Sequence, residues 1–439
     1  MTYPYENWFV MKKVNIGLVG AGTIGSGVIQ ILKEGQEKIL SRSGLKLNLK
    51  AVCDLHVDRI QGLVEPQTEL YNDYSKITSD PDIDVVVELI GGTGVAYSVA
   101  ESALKNGKTL VTANKALISE KGESLFTIAQ EKKVEIGYEA AVGGTIPVIR
   151  SMKTGLVTNE FSAIYGILNG TTNYILSKME LEGLNYETAL KNAQDLGFAE
   201  KDPTFDVEGI DAAHKISILG GLATGKRISI DKIYIEGITK ISSTEIRFAR
   251  EFGYRIKLLG VYKVQGNLVE ARVHPTLVPI DHPIASVMNE VNAIFFDTNY
   301  SGPVMLVGKG AGSLPTANAV LSDIVFYAAR RKGLDGFSES NFSENASLLP
   351  IGETTERFYI RFNTIDKPGV LAELARVLGK NNISISSMKQ AESREGQPVE
   401  VIIFTHEAKE KDLRSSIEEI DKMDITREPS VVIRIENLG

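Results

Sequence analysis

The feature that most constrains the fold of this chain is a glycine-rich turn between a strand and a helix. The apolar run Val14–Val19 predicts a buried strand, and Thr23–Leu40 has apolar residues at helical spacing. The turn between them, Gly20–Gly25, reads GAGTIG and has the pattern G-x-G-x-x-G. Its first glycine permits a tight turn, the second lets the main chain approach a pyrophosphate, and the third allows close helix–strand packing. Because a helix N-terminus also attracts anions, the turn predicts a dinucleotide site.

Strands and helices alternate through the first 140 residues. Three consecutive valines in Asp84–Ile90 indicate a strand buried on both faces, as in a parallel sheet. The alternation predicts a Rossmann-type α/β domain over residues 1–140. The other predicted strands are Leu47–Cys53, Thr109–Thr112 and Val134–Tyr138, and the other predicted helices are Ala96–Asn106 and Glu123–Glu131.

Asp54 bears on the choice of dinucleotide. It follows the predicted strand Leu47–Cys53, where a carboxylate can accept hydrogen bonds from an adenosine ribose. Its negative charge would repel a 2′-phosphate, so the sequence favours NAD over NADP. Arg59 could offset that charge and admit NADP, and Asp54 could also be an ordinary turn residue.

Composition and charge exclude several classes of protein. The 439 residues include 48 Lys and Arg against 56 Asp and Glu, a net charge of −8, and no basic stripe predicts a nucleic-acid partner. The single cysteine, Cys53, excludes an internal disulfide and favours a reducing cytoplasm. The chain contains no run of 18 apolar residues, so no membrane span is predicted. Met1–Val10 lacks the order of a signal peptide, and Met11 could be the true start.

The pattern changes after residue 140. Residues 141–310 mix helices with β-rich segments, which predicts an α+β domain for substrate binding and catalysis. The helix Ala317–Arg330, within residues 310–330, is expected to pack back on the first domain. The predicted elements of the α+β domain are helices Ile146–Gly155, Thr172–Glu182, Glu187–Leu196 and Ile210–Ala223, and strands Phe161–Leu168 and Leu268–Val273.

A linker and a small domain follow. Residues 331–355 are rich in polar residues and glycine, which predicts a linker. Residues 356–439 predict a ferredoxin-like domain with the order βαββαβ. Its predicted elements are Arg357–Asn363, Gly369–Lys380, Ile383–Lys389, Val399–Thr405, Lys409–Asp421 and Ser430–Glu436.

Charged residues cluster at the start of an apolar helix in the second domain. Glu200 and Asp206 precede the helix Ile210–Ala223, and Asp211 and Lys215 are four positions apart, so they share one helix face. Such a pair commonly lies on the surface, but this helix is too apolar to be mainly solvated. Its polar groups then need partners, which a substrate could supply.

Lys115 is a second candidate for the site. It follows the predicted strand Thr109–Thr112, at the carboxyl end of a parallel sheet, where such folds bind ligands. We therefore expect it to contact cofactor or substrate. His214, beside Lys215, is interpreted as structural, since the five histidines show no spacing suited to a catalytic zinc.

Together these segments resemble the homoserine dehydrogenase family, in its members with a C-terminal ACT regulatory domain. The most specific matches are Asn169–Tyr174 (NGTTNY) and Gly197–Lys215, and the likeness extends from residue 14 to about residue 330. The other matching segments are the glycine turn, Ala113–Leu117, Tyr138–Pro147 and Gly308–Ala317.

The resemblance implies reversible hydride transfer between L-aspartate 4-semialdehyde and L-homoserine with NAD(P)H, in threonine, methionine and isoleucine biosynthesis. A developing alkoxide needs a proton and nearby positive charge. Lys215 corresponds to the family's proton donor, and Lys115 to the lysine beside nicotinamide and substrate. Three carboxylates correspond to acceptors for the substrate's ammonium and to residues that orient Lys215: Glu200, Asp206 and Asp211. The two lysines would lower each other's pKa and the carboxylates would raise it, so the net direction stays open.

The same resemblance extends the cofactor site. Many relatives have an arginine for the 2′-phosphate of NADP where this chain has Cys53, which strengthens the expectation of NAD. The residues expected to bind the cofactor are Gly20, Gly22, Thr23, Ile24, Gly25, Asp54, Lys115, Gly310 and Gly312.

A monovalent cation, Na⁺, is also implied by the resemblance. The Glu139 carboxylate and the main-chain carbonyls of Val142, Gly144 and Ile146 would hold it and brace the hinge between domains. Oxygen ligands suit such a hard ion. The alternative is a glycine-rich crossover without a metal.

The last domain resembles an ACT domain on the segments NTIDKPGVLA (363–372) and NNISI (381–385). This implies feedback inhibition by L-threonine and, because such domains usually pair, a homodimer or homotetramer. The alternative is a domain that only dimerises. The residues expected near the effector are Asp366, Gly369, Val370 and Asn382.

Two other functions remain open at this stage. A related Rossmann-fold amino-acid or sugar oxidoreductase would share the layout, although a sugar enzyme favours Glu-Lys-Pro where this chain has Asn114-Lys115-Ala116. A catalytically inactive amino-acid sensor would not need Lys115 and Lys215 together with their carboxylates.

Overall fold

The computed structural model describes residues 12–333, 349–390 and 397–435. The predicted N-terminal extension, the alternative start Met11 and most of the predicted linker lie outside these ranges. None of the helices within them has the length and hydropathy needed to cross a lipid bilayer.

The chain forms two compact units, residues 1–339 and 340–439. The first contains two sheets, and the predicted border at residue 140 falls between them.

The first sheet is parallel and has helices between its strands. Its strands are β1 (Lys12–Val19), β2 (Leu45–Cys53), β3 (Glu69–Tyr71), β4 (Val85–Glu88), β5 (Thr109–Thr112) and β6 (Ile136–Gly137). Its helices are α1 (Thr23–Ser43), α2 (Val57–Ile60), α3 (Ser75–Thr78), α4 (Val95–Lys105) and α5 (Lys115–Lys132).

The strand order of this sheet is β3-β2-β1-β4-β5-β6, and every neighbouring pair is parallel. All four residues of β4 are buried, as its run of valines predicts. The order reverses between β1 and β4, where Val19 pairs with Glu88. A crevice forms outside the carboxyl ends of strands at such a reversal, and ligands bind there.

The second sheet is mostly antiparallel, and helices precede, separate and follow its strands in the sequence. Its strands are β7 (Phe161–Ile167), β8 (Tyr234–Ile235), β9 (Tyr254–Gln265), β10 (Leu268–Pro279), β11 (Val291–Thr298) and β12 (Gly302–Lys309). The helices are α6 (Val148–Arg150), α7 (Gly170–Glu182), α8 (Tyr186–Asp195), α9 (Thr204–Val207), α10 (Ile210–Thr224), α11 (Ser243–Glu251) and α12 (Ser313–Arg331).

The strands of this sheet lie in the order β12-β11-β7-β9-β10-β8, and only β8 pairs in parallel, with β10. The predicted helix Ile146–Gly155 is wrong in detail. A proline disfavours helical backbone at the residue before it, here Ile146, and Pro147 itself has a non-helical ψ of +57°. The helix α6 therefore begins only at Val148, and the chain then widens into a π-helical turn over Ser151–Gly155.

The helix α12 returns from the second sheet and packs against α1. Ser313 Oγ donates to the main-chain oxygen of Thr23 at 2.6 Å. A Cβ on Gly27 of α1 would lie 2.8 Å from Ser313 Oγ, so a glycine is required for this close approach.

The second unit confirms the predicted order βαββαβ, with one short strand added. Its core includes Phe358, Phe362 and Leu374, all fully buried. The elements are β13 (Thr355–Ile365), α13 (Val370–Lys380), β14 (Ile385–Gln390), β15 (Pro398–Thr405), β16 (Ala408–Lys409), α14 (Glu410–Asp421) and β17 (Thr426–Ile435). The main strands lie in the antiparallel order β14-β15-β13-β17.

Candidate active site

A cavity of about 630 Å³ lies at the carboxyl end of the first sheet and extends to residues of the second. It brings together Lys115, Asp206, Asp211 and Lys215, which come from three separate segments of the sequence. The other lining residues include Ile24, Gly144, Asn169, Gly170, Thr171, Glu290, Lys309, Gly310 and Gly312.

Lys215 and Asp211 form the centre of this site. Lys215 Nζ donates to Asp211 Oδ2 at 2.7 Å and to the main-chain oxygen of Leu168 at 2.6 Å. The other carboxylate oxygen, Asp211 Oδ1, forms an ion pair with Lys115. Asp211 is 2% exposed and Lys215 is 8% exposed. One buried carboxylate therefore holds two ammonium groups, one from α5 and one from α10.

The pKa of Lys215 is lowered in this environment. Burial disfavours its charged form; Asp211 opposes this effect and Lys115 adds to it. Burial also disfavours the charge of Asp211, but Lys215 and Lys115 outweigh it and lower the pKa of that carboxyl. The direction that the sequence left open is thus downward for Lys215, which suits a group that must give and take a proton.

Asn169 joins the two aspartates of the site, a contact that the sequence analysis missed. Its Nδ2 donates to Asp206 Oδ1 at 2.7 Å and to Asp211 Oδ2 at 2.9 Å. Burial raises the pKa of Asp206, and the charge of Asp211 raises it further. An amide donor shared by both carboxylates favours their ionised forms. Two sequence signals marked Asn169, its place in the specific segment Asn169–Tyr174 and its position before a predicted helix, but neither indicated this contact. Asn169 does cap α7 by accepting from Thr172 N at 2.8 Å.

A chain of hydrogen bonds fixes the end of α5 that carries Lys115. Asn114 Oδ1 accepts from Leu117 N at 3.0 Å, and Asn114 N donates to Thr112 Oγ1 at 3.0 Å. Thr112 Oγ1 in turn donates to Glu88 Oε2 at 2.6 Å, and Glu88 is fully buried. The carboxyl end of β4 thereby determines where Lys115 lies.

His214 links α10 to α5, which agrees with a structural role. Its Nδ1 lies 2.7 Å from Ser119 Oγ, and its ring stacks on Phe205 with the centroids 5.7 Å apart. Lys115 Nζ lies 5.1 Å from the centroid of the same Phe205 ring. Burial lowers the pKa of His214.

The glycine turn has the geometry that its pattern predicts. Gly20 has φ +96°, and a Cβ there would lie 2.8 Å from the main chain of Leu89. A Cβ on Gly25 would lie 2.2 Å from the main-chain oxygen of Gly20. A Cβ on Gly22 would have no heavy atom within 4 Å among the described residues. The second glycine therefore leaves open space where a pyrophosphate fits, and a side chain would fill that space.

This geometry separates two effects of substitution. We expect Gly22→Ala to keep the melting temperature of the protein and to weaken NAD(H) binding about tenfold or more, because its methyl group would occupy the pyrophosphate position. Gly25→Ala should lower both the melting temperature and the affinity for NAD(H), since its methyl group would clash with the protein itself. Differential scanning fluorimetry and NADH fluorescence titration measure the two quantities. Gly35→Ala is the control, because its nearest neighbour would be 3.7 Å away, and equal NADH affinity in Gly22→Ala and the wild type would contradict the assignment.

Asp54 lies beside the glycine turn and forms a hydrogen bond with it. Its Oδ2 accepts from Ala21 N at 2.8 Å and its Oδ1 accepts from His56 N at 2.9 Å. A carboxylate has about four acceptor positions, so two remain for a ribose.

The remaining predicted site residues are distributed around the cavity. Ile24, Gly310 and Gly312 are among the described residues that line it. Gly20, Gly22, Thr23 and Gly25 belong to the adjoining turn, and Asp54, at the end of β2, accepts a hydrogen bond from that turn. Glu200 is exposed and does not line the cavity.

Glu139 lies at the junction of the two sheets. Its Oε1 accepts from Ile149 N at 2.7 Å and its Oε2 accepts from Arg150 N at 2.8 Å. Burial raises the pKa of Glu139 to about 7, and Asp323 acts in the same direction. The Arg150 guanidinium pairs with Asp323 instead, 2.7 Å away. Within residues 12–333, 349–390 and 397–435, this buried carboxylate has no cationic side chain in ion-pair contact, a setting that fits a bound cation.

The second unit has a small cavity of its own, about 160 Å³. Three of the residues expected near the effector line this cavity, namely Asp366, Gly369 and Val370. Gly369, with φ +92°, comes directly before α13. Asn382, also with positive φ, is exposed and does not line this cavity.

The fold and the site together define a class: a nicotinamide-dinucleotide oxidoreductase with a separate ACT unit. Family models described as "Homoserine dehydrogenase, NAD binding domain", "Homoserine dehydrogenase" and "ACT domain" match residues 20–139, 147–325 and 358–424. A homoserine dehydrogenase of Neisseria gonorrhoeae is 40% identical over 98% of this chain and 100% of its own length. The chain belongs to the homoserine dehydrogenase family, whose members oxidise a CH–OH group.

Solved structures agree with this assignment. A homoserine dehydrogenase from Thiobacillus denitrificans is 38% identical, with a TM-score of 0.71 over 98% of this chain and 99% of that one. A hyperthermophilic archaeal homoserine dehydrogenase in complex with NADPH is 25% identical, with a TM-score of 0.62, and covers 72% of this chain and 98% of its own.

Proposed function

We propose that this chain interconverts L-aspartate 4-semialdehyde and L-homoserine, within threonine, methionine and isoleucine biosynthesis. The observation that supports this most directly is the contact of buried Lys215 and half-buried Lys115 with one buried carboxylate, Asp211, in the wall of the cavity. When bound, the nicotinamide coenzyme supplies or accepts the hydride at the aldehyde carbon. The protein must then provide one proton to the oxygen in reduction and remove it in oxidation.

Lys215 is proposed to be the group that transfers this proton. Its Nζ already has two acceptors, Asp211 Oδ2 and Leu168 O, which leaves one N–H for the substrate oxygen. Its lowered pKa makes proton release easier than from an ordinary lysine. Lys115, held by Asp211 Oδ1, adds positive charge beside the developing alkoxide.

The carboxylates are proposed to bind the substrate's ammonium. Asp206 is supported by its place in the cavity wall and by its contact with Asn169. Asp211 orients the two lysines. Glu200 is proposed on the resemblance alone, and an exposed side chain would have to turn toward the substrate to serve.

The coenzyme is proposed to be NAD, with NADP as the alternative. Asp54 is a carboxylate at the end of β2, and the neighbouring Cys53 is not an arginine. We expect homoserine-dependent reduction of NAD⁺ to have a kcat/KM about tenfold or more above that of NADP⁺. Measurement of both rates, by absorbance of the reduced coenzyme, tests activity and preference together. No homoserine-dependent reduction of either would contradict the activity, and a strong preference for NADP⁺ would contradict the coenzyme assignment.

A monovalent cation, Na⁺, is proposed at Glu139. The Glu139 carboxylate and the main-chain carbonyls of Val142, Gly144 and Ile146 would hold it. The support is this buried carboxylate at the junction of the two sheets, which forms no ion pair with any side chain that the structure describes. The ion would add positive charge in direct contact with the carboxylate and stabilise the hinge.

The ACT unit is proposed to bind L-threonine, through Asp366, Gly369, Val370 and Asn382, in a homodimer or homotetramer. The small cavity beside α13 supports three of these residues. A cytoplasmic location is proposed on the free thiol of Cys53.

Removing the second unit should separate catalysis from regulation. We expect residues 1–333 alone to keep homoserine oxidation within about threefold and to lose inhibition by L-threonine, because the catalytic cavity lies wholly in the first unit. Initial rates with and without L-threonine measure both. Asp366→Ala in the full chain is the companion variant and should weaken inhibition while keeping the rate. Full inhibition of the truncated chain would contradict the effector site.

A further inference from the structure

A second cavity, of about 500 Å³, lies between α5 and α10 and shares no described lining residue with the active-site cavity. We call it the α5–α10 cavity. Its size is within the range of small-molecule sites, about 300–1,000 Å³. Its apolar wall consists of Ile118, Phe126, Tyr138, Ile218, Leu222 and Ile228.

Positive charge accumulates at this apolar cavity. Lys153 and Lys226 line it, and neither has a carboxylate within 4.0 Å in the part of the chain that the structure describes. Arg227 lines it too, but pairs with Glu123 at 3.4 Å. Asp323, Glu135 and Glu139 act on Lys153 from beyond ion-pair distance, on its other side. Both lysines therefore face the apolar wall with ammonium groups that no described carboxylate contacts directly.

Lys153 is the cation best placed to receive an anion. Its Nζ lies 4.3 Å from the centroid of the Tyr138 ring. Protein atoms around the ammonium lower the pKa of Lys153, and carboxylates led by Asp323 act against this effect. Its side chain still has solvent contact, so an anion in the cavity can reach it.

The walls of the cavity are the two helices that carry the catalytic lysines. Ser119, one turn after Lys115 on α5, lines the cavity and contacts His214 Nδ1 at 2.7 Å. His214 directly precedes Lys215 on α10. A molecule in this cavity would therefore contact both helices without entering the active site.

We propose that the α5–α10 cavity binds a small monocarboxylate with an aromatic or branched apolar body. The carboxylate pairs with Lys153, and the body packs against Phe126 and Ile218. A neutral apolar molecule would leave Lys153 without a direct ion-pair partner in the cavity, and a larger polyanion would place charge against the apolar wall.

The probe for this site is 4-phenylbutanoate, titrated by calorimetry into the full chain saturated with NADH and homoserine. That pair occupies the active site without turnover. We expect 4-phenylbutanoate to bind, and its neutral amide to bind about tenfold or more weakly. Lys153→Met should weaken the binding of 4-phenylbutanoate by the same factor, because methionine keeps the apolar stem and removes the charge. Lys132→Met is the matched control, since Lys132 is exposed on α5 and outside the cavity.

A second variant fills the cavity. Gly221 of α10 lines it, and a Cβ there would meet one neighbour among the described residues, Lys226 O at 3.4 Å. Gly221→Leu should abolish binding and keep the melting temperature. The proposal is overturned if the carboxylate does not bind, if NADH with homoserine displaces it, if its amide binds equally, or if both Lys153→Met and Gly221→Leu bind it as the wild type does.

Discussion

Lys215→Met is expected to reduce kcat for homoserine oxidation about 10²–10⁴-fold while NADH binding stays unchanged. Methionine keeps the length and apolar stem of the side chain but cannot hold or release the proton that the substrate oxygen requires. Lys215 contacts Asp211 and Leu168 O rather than the glycine turn, so coenzyme affinity should not depend on it. Stopped-flow rates and NADH fluorescence titration measure the two quantities separately.

The chain provides a matched control for this variant. Lys191 and Asp195 are also four positions apart on a helix, with Nζ and Oδ1 2.6 Å from each other, but both side chains are mostly exposed. Lys191→Met should leave kcat unchanged. If Lys215→Met retains more than about a tenth of the wild-type rate, Lys215 is not the acid.

Asp211→Asn is expected to affect both stability and activity. It removes the one buried carboxylate between two ammonium groups, and breaking such a pair costs about 3–5 kcal/mol. Turnover should fall by at least about a hundredfold, because Lys215 loses the partner that orients it. Chemical denaturation and initial rates measure the two effects.

The stability loss should depend on pH in a defined direction. The pKa of Lys215 is already lowered in the folded protein and should fall further without Asp211, so the unfolded chain binds more protons. Stability of the variant should therefore rise with pH between the lowered pKa of Lys215 in the folded protein and the ordinary lysine pKa of about 10.4 in the unfolded chain. Asp195→Asn, the exposed counterpart, should change stability by less than about 0.5 kcal/mol at any pH in this range. A loss that grows with pH would contradict the assigned direction.

Local patterns predicted the parts of this protein that depend on neighbours in sequence. The turn Gly20–Gly25 signals its own backbone geometry, because the constraints on its glycines come from the adjacent strand and helix. The spacing of Asp211 and Lys215 fixes their contact through helix geometry alone. The alternation of elements predicted both the parallel sheet and the βαββαβ unit.

Contacts between distant segments could not be found in this way. Asn169 reaches Asp211 across 42 positions, and Glu88 reaches Thr112 across 24. Either residue alone looks like an ordinary capping or strand residue, and its role depends on which elements pack together. Glu200 shows the converse: a specific motif identified it, but the motif does not specify that its side chain is exposed in this structure.

The most direct measurement is a crystal structure of the full chain with NADH and homoserine bound together. We expect the homoserine hydroxyl oxygen to lie within about 3 Å of Lys215 Nζ, with the carbon that bears it facing the nicotinamide ring. Asp211 should remain between Lys215 and Lys115. Homoserine bound with its hydroxyl group remote from Lys215, or Lys215 turned to solvent, would contradict the role of Lys215 in proton transfer.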